Sequence, residues 1–373
     1  VEFKKIKRNV LLTPGPATTT DSVKHAQVVA DICPREKEFG EIIQWIMAEL
    51  TEIVADSEHF TTVLFGGSGT AAVESMICST INSTDNLLVI NNGAYGKRMC
   101  HIADAYEIPF NEFITSPTAM IDLDKLEKML LNKKITHLAM VHHETTTGLL
   151  NDIEGVGNIC KKLDITLLVD AISSFAAIPI DMKKMNISFL AASSNKNLQG
   201  MPGVSFVIAN TNSMHNIENN KKRCFYLNLY DQHIYMQKDS QTRFTPPVQT
   251  LYALKQAISE FKEEGIENRY ARYSKSWQLL VDGLQMLGLK MLLPKEIQSK
   301  LIVTVIEPES FNFEHFHDFL YEKCITIYPG KLTEKSTFRI GTIGDINAND
   351  IQQFIDLFSE YLNLNNRDIA NGL

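Results

Sequence analysis

Apolar positions along the chain fall into two spacings. Over residues 41–54, Ile42, Ile43, Ile46, Leu50 and Ile53 recur at the period of one helix face, and residues 70–78 lack Gly and Pro, so both stretches predict helices. Nearly continuous apolar runs at 62–65, 87–90, 137–141, 166–169, 187–190 and 204–208 predict strands. A strand covered on both faces needs no polar side, so such runs suit a sheet buried between layers. Helical stretches at 123–131 and 153–163 separate several of them. That alternation predicts an α/β fold with a mainly parallel central sheet flanked by helices.

Beyond Val248 the pattern changes. A long amphipathic stretch through Leu251, Leu254, Ile258 and Phe261 runs to Gly265, where a helix is expected to end. A helix at 277–284, a strand at 302–306, a helix at 313–321, a strand at 325–328 and a closing helix at 351–361 follow. The chain therefore divides into an N-terminal arm at 1–20, a large domain at 21–265 and a small C-terminal α+β domain at 266–373. Repeats and low-complexity tracts are absent.

Composition narrows the class. Lys and Arg number 36 against 44 Asp and Glu, and the net charge of −8 offers no attraction to nucleic acid or an anionic membrane. Residues 1–9 are charged rather than apolar, unlike a secretory signal, and no apolar run approaches the roughly 18 residues a spanning helix needs. The six cysteines show no C-x-x-C pair. This matches a reduced cytoplasmic enzyme, for which neither disulfides nor a zinc site are expected.

Three stretches carry chemistry. In Leu64-Phe65-Gly66-Gly67-Ser68-Gly69-Thr70 a strand runs through a glycine turn into a helix. Such a turn presents N–H groups and hydroxyls to an anion at the positive helix end, and so suits a phosphate; a plain tight turn is the alternative. It lacks the Lys-Ser/Thr of a P-loop and the G-x-G-x-x-G spacing of dinucleotide folds. Asp170 sits at the strand edge where open parallel sheets bind ligands, with helix N-capping as the competing role. Lys196 lies between two strands, where an amine is costly unless paired or consumed, as by condensation with a cofactor aldehyde. A solvated loop lysine is the alternative. His142-His143-Glu144 is not a zinc helix, because H-E-x-x-H would need His where Thr147 stands.

Phosphate turn, Asp170 and Lys196 follow one another along one α/β unit, the last two 26 residues apart. With Leu12-Thr13-Pro14-Gly15-Pro16, Asn92-Gly93-Ala94-Tyr95-Gly96-Lys97-Arg98-Met99, His142-His143-Glu144-Thr145-Thr146-Thr147-Gly148, Phe244-Thr245-Pro246-Pro247-Val248 and Phe338-Arg339-Ile340-Gly341, they make the chain resemble fold-type I pyridoxal-phosphate enzymes. The group resembled is the class V aminotransferases, and within it the 2-aminoethylphosphonate:pyruvate transaminases. The resemblance covers nearly the whole chain.

The resemblance implies pyridoxal 5'-phosphate as cofactor, with Lys196 as the catalytic lysine that binds its aldehyde and moves the substrate proton. Asp170 would pair with the pyridine nitrogen and keep it protonated. Ser68, Gly69 and Thr70 would cradle the phosphate. Tyr95 would stack on the ring, where many relatives carry Trp, and Thr145 would approach the phenolic oxygen. Thr245 would reach the phosphate of the neighbouring subunit, which calls for a homodimer with shared active sites. Arg339 would bind the substrate carboxylate, since a planar guanidinium meets a carboxylate in a bidentate pair. Arg35, and after it Arg243, are candidates for the phosphonate. The residues at 13–16 would shape an arm folding over the site.

The implied reaction moves an amino group between 2-aminoethylphosphonate and pyruvate, giving phosphonoacetaldehyde and L-alanine. An alanine–glyoxylate or serine–pyruvate exchange on the same scaffold is the alternative, followed by a phosphonate lyase and, from another class, a non-catalytic α/β binding protein.

Overall fold

The computed structural model describes residues 6–370 except Ser310, Lys331, Thr333 and Glu334, so residues 1–5 of the expected arm lie outside the described residues. Seven strands form the central sheet: β1 (Phe60–Gly66), β2 (Leu87–Asn91), β3 (Phe110–Ile114), β4 (His137–Val141), β5 (Thr166–Asp170), β6 (Phe189–Ser193) and β7 (Val204–Asn210). Their order is β1-β7-β6-β5-β4-β2-β3. All contacts are parallel except those of β7, which runs against both its neighbours. In the register, Val141 of β4, Asp170 of β5 and Ala191 of β6 lie side by side. The strand ends that carry the candidate site are thus level.

Helices α1 (Lys37–Glu52), α2 (Gly69–Thr80), α3 (Ala94–Ala105), α4 (Leu123–Lys133) and α5 (Ile153–Leu163) flank the sheet. Local chemistry sets the bounds of α4 and α5. Asp122 and Asp152 accept from the N–H groups of Lys125 and Gly155, satisfying first-turn donors, and Lys134 and Asp164 end the helices in the left-handed conformation. The main core, from Phe39 to Phe261, lies between these helices and the sheet.

Two departures from the expected strands have physical causes. The run expected at 187–190 pairs instead as Phe189–Ser193, because the less apolar Ala191-Ala192-Ser193 segment lies between β5 and β7 and is buried by them. Strand β3 escapes the apolar pattern. It lies at the sheet edge, where solvent covers part of it and Asn111 and Glu112 are tolerated.

Helix α6 (Leu229–Asp239) precedes α7 (Val248–Glu264) and α8 (Ile266–Met286), which meet at Gly265. A second, antiparallel sheet follows, ordered β8 (Lys290–Met291), β9 (Ile302–Ile306), β11 (Thr337–Gly341), β10 (Tyr328–Pro329), with helices α9 (Phe313–Glu322) and α10 (Ala348–Ala370). The strand expected at 325–328 is split. Ile325–Thr326 pairs with Val10–Leu11 from the start of the chain, while Tyr328–Pro329 joins β11. A separate apolar cluster fills this region, with Phe316 stacked on Phe358 at 4.2 Å and Val10 and Leu12 of the N-terminal segment packed into it. Among the described residues no helix is long and apolar enough to cross a membrane.

Candidate active site

The glycine turn after β1 opens α2 as expected. Ser68 caps the helix with its backbone only, leaving its exposed side chain out of the cap. A Cβ at Gly69 would come within 2.6 Å of Ile172 Cδ1, so only glycine lets the helix start lie against the segment that follows Asp170. Thr70 Oγ1 accepts from Arg98 Nη1 at 3.1 Å, and the Arg98 guanidinium lies 4.7 Å from the centre of the Tyr95 ring. The glycine turn and Tyr95 are therefore joined through one cation, an arrangement favourable to an anion at the α2 N-terminus.

Asp170 closes β5 in a buried setting. Burial pushes its carboxyl up to about 6, while the Ile172 N–H, which it accepts at 3.0 Å, and the charges of Arg98 and Lys196 pull the other way. Lys196 stands in the loop after β6, and its Nζ donates to the Pro14 carbonyl at 2.6 Å. The adjacent Asn195 carbonyl accepts from Ala17 N at 2.9 Å, so the N-terminal segment is clamped across the lysine. Gly15 has φ +127°, and a Cβ there would overlap the Lys196 side chain.

Arg339 enters from β11. It is 2% exposed, its Nε donates to the Pro329 carbonyl at 3.0 Å, and its buried Nη1 has no hydrogen-bond partner. Desolvation holds the guanidinium below its usual range, opposed by Tyr95, with which it shares a side-chain hydrogen bond, and by Glu144 and Tyr328. An unpaired donor on a buried cation is costly by itself. A carboxylate would satisfy it.

Two more polar atoms of the site stand buried and unpaired. Thr145 Oγ1 is one. The other is His143 Nε2: His143 Nδ1 lies 3.1 Å from the Ser173 carbonyl, which can only accept, so Nδ1 carries the proton and Nε2 is left an acceptor. Burial holds His143 down to about 4 and His142 to about 3, so both are neutral. Among the described residues the one cluster with metal-ligand spacing is the Asp56, Glu58 and His59 group, apart from this site.

The structure thus brings together Ser68, Gly69, Thr70, Tyr95, Asp170, Lys196 and Arg339, with Thr145 beside them. Thr245 lines a small cavity with Gly66 just before the glycine turn, whereas Arg35 and Arg243 make no contact with Lys196, Asp170 or Arg339. The exposed Arg35 gives its donors to Gln241 Oε1 and to the carbonyls of Thr242 and Arg243. Arg243 bonds the Phe225 carbonyl at 2.9 Å and sits 3.6 Å from Asp231. Thr245 is exposed, in a segment whose Pro247 neighbours Gly66.

Glu144, considered in the sequence only as part of a rejected zinc motif, and Arg98 both join the site. The buried Glu144 carboxylate accepts from Tyr95 N at 3.2 Å, from Thr146 N at 3.2 Å and from Thr146 Oγ1, and burial raises its pKa. The available signal was a lone carboxylate in the polar run that follows a core strand. For Arg98 it was the spacing of three residues from Tyr95, one helical turn.

An open, mainly parallel sheet with a lysine, a carboxylate and a helix N-terminus at its strand ends defines the class: the fold-type I architecture of pyridoxal-phosphate transferases. An alanine–glyoxylate aminotransferase from Nostoc sp. superposes with a TM-score of 0.90 at 25% identity, covering 97% of each chain. A model described as aminotransferase class-V matches residues 23–354, and the chain belongs to that family. Among its relatives is a 2-aminoethylphosphonate--pyruvate transaminase of Lysinibacillus sphaericus, 38% identical over 96% of this chain and 98% of the relative. A bifunctional phosphonoacetaldehyde hydrolase/aminoethylphosphonate transaminase of Clostridioides difficile is 40% identical over 95% of this chain. The chain spans 56% of that longer protein.

Proposed function

We propose that this chain is a pyridoxal-phosphate-dependent aminotransferase that exchanges an amino group between 2-aminoethylphosphonate and pyruvate, giving phosphonoacetaldehyde and L-alanine. The observation that carries the reading is the near full-length similarity to a protein named for that reaction.

The residues present fit the cofactor. A buried hydroxyl without a partner at Thr145, a carboxylate at a strand end and a helix N-terminus behind a glycine turn are the acceptor and donor set that a phenolic, pyridinium and phosphate-bearing ring requires. When bound, pyridoxal phosphate supplies an aldehyde for the amine and a ring that accepts the electron pair left when the amino carbon loses a proton. Lys196 Nζ holds and moves that proton. Asp170 would keep a ring nitrogen protonated, Tyr95 would lie against the ring, and Ser68, Gly69 and Thr70 would hold the phosphate. Arg339 takes the carboxylate of alanine or pyruvate on its unpaired Nη1, and Arg35 is the cation proposed for the phosphonate.

Thr245 completes the site from a second copy of the chain. The exposed Phe225, Tyr226, Ile234 and Tyr235 around it supply an apolar surface for a homodimer. The arm at 1–20 and the division near Gly265 belong to the same reading, as does a cytoplasmic location.

The test is a substrate screen with protein loaded with pyridoxal phosphate. Alanine formed from 2-aminoethylphosphonate and pyruvate, and lost in Lys196→Ala, is the expected result. Faster turnover of alanine with glyoxylate would favour the alternative, to which the Nostoc structure lends weight. Ammonia release without an acceptor would replace both with a lyase.

A further inference from the structure

We propose that Cys78 and Cys224 form a reversible disulfide within the chain. The two residues are 146 positions apart, yet their sulfurs lie 3.0 Å from one another. Cys78 is buried in the last turn of α2, and Cys224 is half-buried in the segment that leads into α6.

Independent contacts hold the two segments together. Asn220 Nδ2 donates to the carbonyls of Ser79 at 3.0 Å and Thr80 at 2.9 Å, while Arg223 Nη1 donates to those of Cys78 and Ile81. These carbonyls belong to the C-terminal end of α2, where they lack helical partners. The segment carrying Cys224 is therefore seated on the helix end by bonds that do not involve sulfur. A bridge needs the sulfurs at about 2.05 Å, a closing movement of roughly one ångström by side chains already in contact.

The thiols differ in character. Cys224 is held below the usual thiol range, chiefly by the hydrogen bond from Cys78, with Leu227 N–H and Arg243 adding to it against burial and Glu74. Cys78 is held well above that range, first by the same hydrogen bond and then by burial. Cys224 is also the more accessible of the two, half-buried where Cys78 is buried, and is the attacking sulfur, with Cys78 the resolving one.

With a small disulfide such as oxidised glutathione, the Cys224 thiolate bonds to one sulfur and expels the other as a thiolate. Cys78 then gives up its proton, bonds to Cys224 Sγ and displaces the second glutathione thiolate. The protein loses two electrons and two protons, and one small disulfide becomes two thiols. None of the other four cysteines, Cys33, Cys100, Cys160 and Cys324, is in sulfur contact with another among the described residues.

The bridge ties α2, the helix capped by Ser68, to the segment bearing Tyr226, whose ring stacks on Phe244 at 5.2 Å, next to Thr245. The proposal rests on the thiols alone and is independent of the catalytic reading.

The full chain, equilibrated in glutathione buffers of increasing oxidation, alkylated and digested for mass spectrometry, tests it. The folded protein should lose two of its six thiols and yield a peptide joining Cys78 to Cys224 that reductant removes. Cys33 and Cys324 should remain open to alkylation. Cys78→Ser should leave glutathione trapped on Cys224, and Cys33→Ser should still form the bridge. Six free thiols at every buffer ratio, a bridge between other cysteines, or a stable glutathione adduct on wild-type Cys224 would each overturn the assignment.

Discussion

The side-chain amine of Lys196 donates a 2.6 Å hydrogen bond to the carbonyl of Pro14, 182 positions earlier in the chain. This bond makes the N-terminal segment part of the site, because the same segment then bonds Asn195 through Ala17 and packs Leu12 into the smaller core. The lysine is thereby held ready without being buried unpaired.

Gly15 should be the most sensitive position of that segment. Its φ of +127° lies where side chains are strained, and a Cβ would occupy the space of Lys196. Gly15→Ala is expected to cost about 1–3 kcal/mol of stability and at least about tenfold in kcat, roughly 1.4 kcal/mol of barrier. Denaturant melts and steady-state rates check this, and a fully active Gly15→Ala would show that the clamp is irrelevant to Lys196.

Arg339→Lys should separate binding from chemistry. Lysine keeps charge but loses the fork and the Tyr95 contact, so kcat/KM for pyruvate should fall about 10–100-fold, mostly through KM. Unchanged KM for pyruvate and alanine would remove Arg339 from the carboxylate site.

Thr145→Val tests the buried unpaired hydroxyl. Without cofactor the hydroxyl gains nothing from its surroundings, so the variant should melt at or slightly above the wild-type temperature. Affinity for pyridoxal phosphate should fall about tenfold, worth the roughly 1.4 kcal/mol of one lost hydrogen bond. Equal affinities in the two proteins would refute the contact.

The stability of the cofactor-free protein should carry the signature of Asp170. Its folded pKa of about 6 lies above the ordinary 3.8, so between those values the folded state binds more protons than the unfolded state. The Asp170 contribution is then fully present below about pH 4 and is lost as pH rises through 6, by roughly 3 kcal/mol. Asp170→Asn should therefore gain on wild type as pH rises from 4 to 7 in urea titrations. A difference independent of pH would contradict the burial cost, whereas turnover should be lost in the variant at every pH.

Much of this arrangement is legible in the linear pattern because it rests on local rules. The strands β2, β4, β5 and β7 are apolar runs that burial on both faces demands, and Asp152 and Asp122 announce their helices as caps. Gly69 and Lys196 stand out by type, one as a turn opening a helix and the other as a cation between core strands. Edge strand β3 and the shifted β6 were not legible. The first is polar because solvent reaches it, and the second is buried by its neighbours rather than by its own composition.

The sequence by itself determined the alternation of strands and helices and the glycine turn, since each depends on residues within a turn or a strand of one another, and the order of Asp170 and Lys196, which is the order of the chain itself. Tertiary structure alone decided that Pro14 meets Lys196, that Arg98 links Thr70 to Tyr95, that Glu144 accepts from the Tyr95 N–H near Arg339, and that Cys78 meets Cys224. Those relationships join positions brought together by chain closure. Hydrophobic burial and sheet register set their distances, and these are properties of the whole packed molecule rather than of any local stretch.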